Sequence, residues 1–388
     1  PQIDRGITLL AEPPEGAVER DDIERLRTPE GVSMLLHASI LTIARARDQG
    51  TRSLRAPGTR RPPRRTVGRS PAGGHPVGTV DDVTDAASLT PVQRHTLGLL
   101  RRAEPVVFDP DFVASLIADV TDAVAEFAER LGDTTLWVSK HRISTALSCE
   151  AHHLLDDDFA WSPAVAGGQI AHRSIQLMLN WRGDPVPADL VDEAIERCAD
   201  EDRSLGAWVA GLGEADRADL AGRAVEKVTK YQECFPPLDR RARPITESAV
   251  RWPIDGPIVL AGKVDLVMGR SEGSESRKVI VDLKTGGVVP RHREDLRFYA
   301  LVETLRTRVP PRKLASFYLD AGEPVVEDVT EHVLTAAMRR TLDAINTEIE
   351  LQFEGRAPIK RPGPTCRWCP LSTECDEGTA YLRGLDEP

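Results

Sequence analysis

The chain has 388 residues, 40% of them apolar, and a formal net charge of −11 at pH 7. That length leaves room for two or three domains with a substantial core, and that charge excludes a general nucleic-acid-coating surface, so any DNA-binding face has to be local. No apolar run reaches the roughly 18–20 residues of a membrane span, the N-terminus lacks a charged-then-apolar leader, and six cysteines in so long a chain do not make a secreted disulfide framework; the expectation is a cytoplasmic protein with no membrane partner, whose clustered cysteines hold metal.

In chain order, Arg20–Asp48 repeats Ile23, Leu26, Leu35, Leu36, Ile40 and Ile43 at helical spacing, an expected short helical segment within residues 1–50. Thr51–Val77 is rich in Pro, Gly and Arg, with seven arginines from Arg52 to Arg69 and no acid. Such a stretch cannot bury enough apolar surface to order itself, so 51–90 reads as a flexible linker whose arginines also suit phosphate. A helical extension follows over 91–135. It is built from Pro91–Ala103 and Asp111–Leu131, the latter carrying Phe112, Ile117, Val120, Val124 and Phe127 on one face.

Ser139 is an N-cap for the expected helix Lys140–Leu155, which carries Cys149. Gly167-Gly168 precedes another, Gln169–Trp181, in which His172 shares an apolar face with Ile175 and Leu179. A histidine so placed reads either as a core residue or as a nitrogen ligand beside oxygen donors, a set that suits Mn²⁺ or Mg²⁺. A helical region interrupted near Gly211–Glu214 runs to about Tyr231. Strands are expected at Ile245–Trp252, Ile258–Met268, Lys278–Leu283 and Ala315–Leu319, with helices at Arg293–Thr307 and Glu331–Phe353. Helices first, then a short sheet with a crossover helix, place the chain in the α/β class.

Two strand ends carry chemistry. In Lys278–Lys284 the side chains alternate, so Ile280, Asp282 and Lys284 share a face. Gly262-Lys263-Val264-Asp265 brings a second carboxylate to the end of the preceding strand, with Glu247 earlier as a further acidic contact. Phosphodiester hydrolysis needs carboxylate oxygens to hold a hard divalent cation, which polarises phosphate and acidifies water. It also needs a cationic group to orient that water or meet developing charge. Asp265 and Asp282 supply the first and Lys284 the second; the competing reading is a surface ion pair leading into the turn Thr285-Gly286-Gly287.

Cys366-Arg-Trp-Cys369-Pro-Leu-Ser-Thr-Glu-Cys375 follows a Pro/Gly-rich loop, and thiolates so close wrap metals. Three ligands leave a fourth position. Cys149 fills it if the chain folds back on itself; Cys198 and Cys234 are rivals that read as buried thiols. Zinc and an iron–sulfur cluster both accept four thiolates.

Taken in order, these residues resemble the PD-(D/E)xK nuclease superfamily, and within it the RecB/AddB-like branch with an iron–sulfur staple, which is similar to CRISPR-associated adaptation exonucleases. Ser139–Cys149 looks like that branch's first cysteine helix and Gly168-Gln169-Ile170-Ala171-His172 like its Gly-x-x-x-His motif. Gly262–Asp265 and Asp282-Leu283-Lys284 look like its metal-binding carboxylates and active-site lysine. Asp295–Tyr299 stands where it has Gln-x-x-x-Tyr, and Cys149, Cys366, Cys369 and Cys375 match its cluster ligands. The resemblance spans about Trp137–Ala380; the first 130 residues or so share none of it.

It implies a restriction-endonuclease-like mixed central sheet flanked by helices, with a helical N-terminal extension, and a nuclease domain at 136–388 closed by a [4Fe–4S] cluster. His172, Asp265, Asp282 and the Leu283 carbonyl would hold Mg²⁺ or Mn²⁺, Lys284 would position water, and Tyr299 would contact substrate. Asp295 departs from the family's Gln, and an acid there would repel phosphate unless paired, with Arg291 or Arg297 as the nearest cations in sequence. The implied activity is a metal-dependent deoxyribonuclease, an exonuclease or end-processing enzyme favouring single-stranded DNA, in repair, recombination or defence, with a helicase or other repair protein as a partner. The alternative is a non-catalytic subunit that binds or scaffolds DNA ends beside such a partner.

Overall fold

The computed structural model describes residues 88–102, 104–155, 159–238 and 242–386. The helix expected within Arg20–Asp48 and the linker expected over Thr51–Val77 lie outside them. Among the described residues no helix is long and apolar enough to cross a membrane.

A six-stranded mixed sheet organises the chain. Its strands are β2 (Leu136–Val138), β3 (Ile245–Trp252), β4 (Ile258–Met268), β6 (Val279–Lys284), β7 (Lys313–Tyr318) and β8 (Glu323–Asp328). A two-stranded ribbon pairs β1 (Val106–Val107) with β5 (Glu275–Ser276). The eleven-residue β4 is the axis: β3 runs antiparallel along one edge. The other edge is shared, with β2 parallel to Ile258–Leu260 and β6 antiparallel to Leu266–Met268. Between those two pairings β4 and β6 diverge. β7 joins β6 in parallel and β8 closes the sheet as an antiparallel hairpin. β8 was not expected from the sequence: Glu323–Asp328 has two acids at one end and one at the other, with alternating exposure, and a partly solvated edge strand is held by its backbone ladder rather than an apolar run.

Helices cover both faces, so the architecture is the expected α/β sandwich. On one face lie α1 (Pro91–Leu100), α5 (Pro163–Met178), α6 (Pro187–Glu201), α7 (Arg203–Ala210) and α8 (Glu214–Cys234), against Leu266, Met268, Val279, Val281, Leu283 and Phe317. Tyr231 and Phe235 stack at 4.8 Å, and both meet the Phe317 ring edge-on. On the other face lie α2 (Pro110–Leu131), α3 (Lys140–Ala146), α9 (Arg291–Thr307) and α10 (Glu331–Gln352), against Leu260, Val264, Ile280 and Leu314. Val279, Val281 and Leu283 therefore enter one core while Ile280 enters the other, as strand alternation dictates. Lys313 and Arg312 at the start of β7 donate to the Leu99 and Leu100 carbonyls, which places two cations at the C-terminus of α1.

Two helices differ from their sequence reading. α5 begins at Pro163, capped by Ser162, and Gly167-Gly168 lies inside it. The glycines serve packing: a Cβ on Gly168 would sit 3.1 Å from Thr285 Oγ1, so the helix lies directly on the turn that follows Lys284. The helix expected over Lys140–Leu155 is two pieces, α3 and α4 (Glu150–His153), with Cys149 in extended backbone at the break.

That break is clamped to the C-terminal segment. Glu150, 2% exposed, accepts from Arg356 at 2.8 Å and from the Ile359 amide at 2.8 Å, and lies 3.1 Å from Arg361. The Glu150 amide donates to the Ile359 carbonyl and Arg361 to the Ser148 carbonyl. Burial pushes the Glu150 carboxyl up, but Arg356 outweighs it and the group sits below its ordinary 4.5. A depressed carboxylate pKa stabilises the fold above the unfolded value and loses that contribution as pH falls through the folded one. Glu150→Gln is therefore expected to cost ~2 kcal/mol at pH 7, since hydrogen bonds to charged groups are at stake. Its melting-temperature deficit against wild type should shrink as pH drops below about 4.5, which a calorimetric series at several pH values checks.

Candidate active site

Where β4 and β6 splay apart, the chain must satisfy backbone groups that have no strand partner. The Leu283 amide donates to Asp265 Oδ2 at 2.7 Å. Alternate residues of a strand address opposite edges, and the Lys284 carbonyl already accepts from Leu319 on the β7 side. The Leu283 carbonyl therefore points the same way as its amide, toward Asp265.

His172 reaches this gap from α5, with Nδ1 3.6 Å from Asp265 Oδ1. Glu247 comes from β3. Thr246 pairs with Leu266 and Ser248 with Val264, which leaves Glu247 opposite Asp265 but outside the ladder, at φ +50°. A left-handed glutamate inside a strand is strained, and such strain collects at functional sites. Its carboxylate pairs with Lys263. Ligand atoms of His172, Glu247 and Asp265 all lie within 4.8 Å of one another, the one such trio of His, Cys, Asp or Glu among the described residues. Burial opposes charge on His172, but Asp265 outweighs it and raises the imidazole above its ordinary range; burial pushes Asp265 up, but His172 outweighs it and holds the carboxyl down. One imidazole nitrogen, two carboxylates and a carbonyl are a donor set that fits Mg²⁺ or Mn²⁺.

Asp282 is buried (1% exposed), and both its oxygens face lysines. Oδ1 accepts from Lys140 Nζ at 2.9 Å; Oδ2 lies 2.6 Å from Lys284 Nζ, close enough for an ion pair but not aligned as a hydrogen bond. Lys284 is also 3.4 Å from Asp295. Asp295 thus pairs with the site lysine, not with Arg291 or Arg297; Arg297 is taken by Glu294 and Glu327. Burial pulls Lys140 down, but Asp282, Tyr299 and Asp265 together outweigh it and hold the ammonium above the usual lysine range.

Tyr299, expected at the substrate, is buried. Its hydroxyl donates to the Lys263 carbonyl at 2.8 Å, its ring lies 5.0 Å under Lys140, and burial pushes its pKa up to about 12. Its ring fills the splay. Gly262 makes that possible, because a Cβ there would sit 2.6 Å from the ring.

The four predicted cysteines line one open cavity of ≈ 340 Å³. The Gly363 and Gly378 amides point at the sulfurs of Cys366 and Cys375, each at 3.3 Å. Cys198 and Cys234 lie elsewhere, buried in the helical core, where burial pushes the Cys198 thiol up to about 11 and raises Cys234 as well. Sequence reasoning missed Lys140 as a site residue. It arrives from a helix 142 positions before Asp282 and belongs to no strand motif; its one signal is rarity, since the chain has 8 lysines against 42 arginines.

A family model of the PD-(D/E)XK nuclease superfamily matches residues 138–376. Among solved structures, the chain is similar to a protein of Eubacterium rectale provisionally named an exonuclease, at 12% identity and TM-score 0.38, over 63% of this chain and 87% of that one. It is also similar to the protein SSO0001, at 18% identity and TM-score 0.25, over 53% and 94% of the two chains. No curated protein matches.

Two variants separate packing from substrate contact at Tyr299. Gly262→Ala is expected to cost roughly 1–3 kcal/mol by overpacking. Tyr299→Phe should cost about 1 kcal/mol through the orphaned Lys263 carbonyl, with KM for substrate unchanged. Thermal melts and steady-state kinetics check both; a raised KM in Tyr299→Phe would return the hydroxyl to the substrate.

Proposed function

The chain belongs to the PD-(D/E)XK nuclease superfamily, and from that membership we propose that it is a divalent-metal-dependent deoxyribonuclease acting on single-stranded DNA or DNA ends. The observation that carries this reading is the convergence, in one strand splay, of the His172, Glu247 and Asp265 donors with the Asp282–Lys284 pair. A divalent cation held by His172, Asp265, Asp282 and the Leu283 carbonyl, with Glu247 as a further carboxylate, would supply Lewis-acid polarisation of a phosphate and acidify water. Lys284 presents its ammonium at the same place, oriented by Asp282 and Asp295, where it can direct the attacking water and meet charge developing on the phosphate. Asp265 fixes the Leu283 backbone, and Asp282 neutralises the lysines so that two ammonium groups can share a buried site.

The finer reading is the RecB/AddB-like branch, with Cys149, Cys366, Cys369 and Cys375 holding a [4Fe–4S] cluster in a reducing, cytoplasmic setting. What supports it is that the four cysteines line one cavity, with amides aimed at two of the sulfurs, which favours electron-rich thiolates. In this reading 91–135 is an extension of a nuclease domain at 136–388, and a helicase or repair protein is the working partner. The scaffold alternative rests on the acidic net charge and on Asp295; the pairing of Asp295 with Lys284 weakens the second ground and leaves the first.

Labelled single-stranded and duplex DNA incubated with Mn²⁺ tests the activity. Cleavage is expected to fall by roughly a thousandfold in Asp282→Asn and in Lys284→Ala, as when a transition-state electrostatic group is removed; intact substrate with folded wild-type protein would overturn the nuclease reading. Anaerobic purification tests the cluster: about four irons per chain are expected. Cys149→Ala should lose that iron while staying folded, because the Glu150 clamp joins the same two segments. A colourless protein with one zinc would overturn the cluster.

A further inference from the structure

Lys284 is bracketed by two carboxylates, Asp282 at 2.6 Å and Asp295 at 3.4 Å. Lys140 has only one, Asp282 Oδ1 at 2.9 Å, together with the face of the Tyr299 ring. The two lysines that share Asp282 are therefore held unequally, and Lys140 is the one free to leave. It also has somewhere to go. Its side chain is 28% exposed and lines a cleft between α3, α9 and α10 with Ser144, Glu294, Asp295, Arg340 and Thr341, where Arg340 lies 3.9 Å from Glu294.

Asp282 adjoins the His172, Glu247 and Asp265 trio: its chain neighbour Leu283 donates its amide to Asp265 at 2.7 Å. A divalent cation in the trio and the Lys140 ammonium thus draw on the same buried carboxylate and repel each other across it. We infer that Lys140 is a built-in counter-ion of the active site, a positioning residue that competes with the divalent cation for Asp282. Linkage makes the effect reciprocal: if Lys140 weakens cation binding, cation binding weakens the Lys140–Asp282 pair by the same factor. Loading the site then loosens Lys140 from Asp282 toward the outer cleft, and the ion-free site stays neutralised until the cation arrives. This rests on the reading of the centre as a cation site.

The test is Mn²⁺ binding to the full chain by titration calorimetry, with no substrate present. Lys140→Met should bind Mn²⁺ roughly fivefold or more tightly than wild type, and Lys140→Arg should bind like wild type. In an Asp282→Asn background the same Lys140→Met change should have no effect, because the carboxylate through which the two compete is gone. Thermal melts accompany each titration, and Lys140→Gln replaces Lys140→Met if the latter does not fold. Mn²⁺ affinity in Lys140→Met within about twofold of wild type would overturn the inference, as would a gain that survives in Asp282→Asn. If neither wild type nor any Lys140 variant binds Mn²⁺, the cation reading fails with it; if all bind alike, only the role of Lys140 fails.

Discussion

Everything at the candidate active site follows from β4 being longer than either strand on its shared edge. β2 takes its first residues and β6 its last, and the edge between them has no ladder. Unpaired backbone in a buried sheet has to be satisfied by side chains. Asp265 takes the Leu283 amide, and Tyr299 takes the Lys263 carbonyl. The same opening that strands those groups gives room for His172 and Glu247 to reach in from either side. The site is thus a gap that the sheet cannot close, lined by the residues that make the gap tolerable.

The cysteine end is held by a different force. Glu150 is buried among two guanidinium groups and an amide, and it joins the helix break carrying Cys149 to the segment leading into Cys366. A second buried acid nearby, Glu348, binds Arg142, His153 and Gln352 and fixes α3 and α4 on α10. These networks bring the four thiols to one cavity by ion pairing and hydrogen bonding within the chain itself. Buried charges of this kind cost desolvation and contribute geometry more than net stability.

Much of this was legible in the sequence, for a physical reason. Strand alternation puts Asp282 and Lys284 on one face whatever surrounds them, and thiols spaced as in Cys366–Cys375 have few other uses. Tertiary contacts that override local signals were not legible. Gly167-Gly168 reads as preceding a helix, yet both lie in α5, and Gly168 packs close on Thr285. β8 carries too many charges to read as a strand and exists through its pairing with β7. Tyr299 sits in a motif that points to substrate, while its burial points to the sheet. The partner of Asp295 lies eleven residues back, at the end of another element, where no local rule would look.

The clamp at Glu150 also bears on the order in which the protein is made. Domains fold as units while the chain is still being synthesised, N-terminal parts first. The sheet is complete once Asp328 has emerged, and Arg356 and Arg361 follow before Cys366, Cys369 and Cys375. The C-terminal arm can therefore dock on Glu150 only after every strand of the sheet has been made. The cavity that the four thiols line is thus among the last parts of the described structure to form.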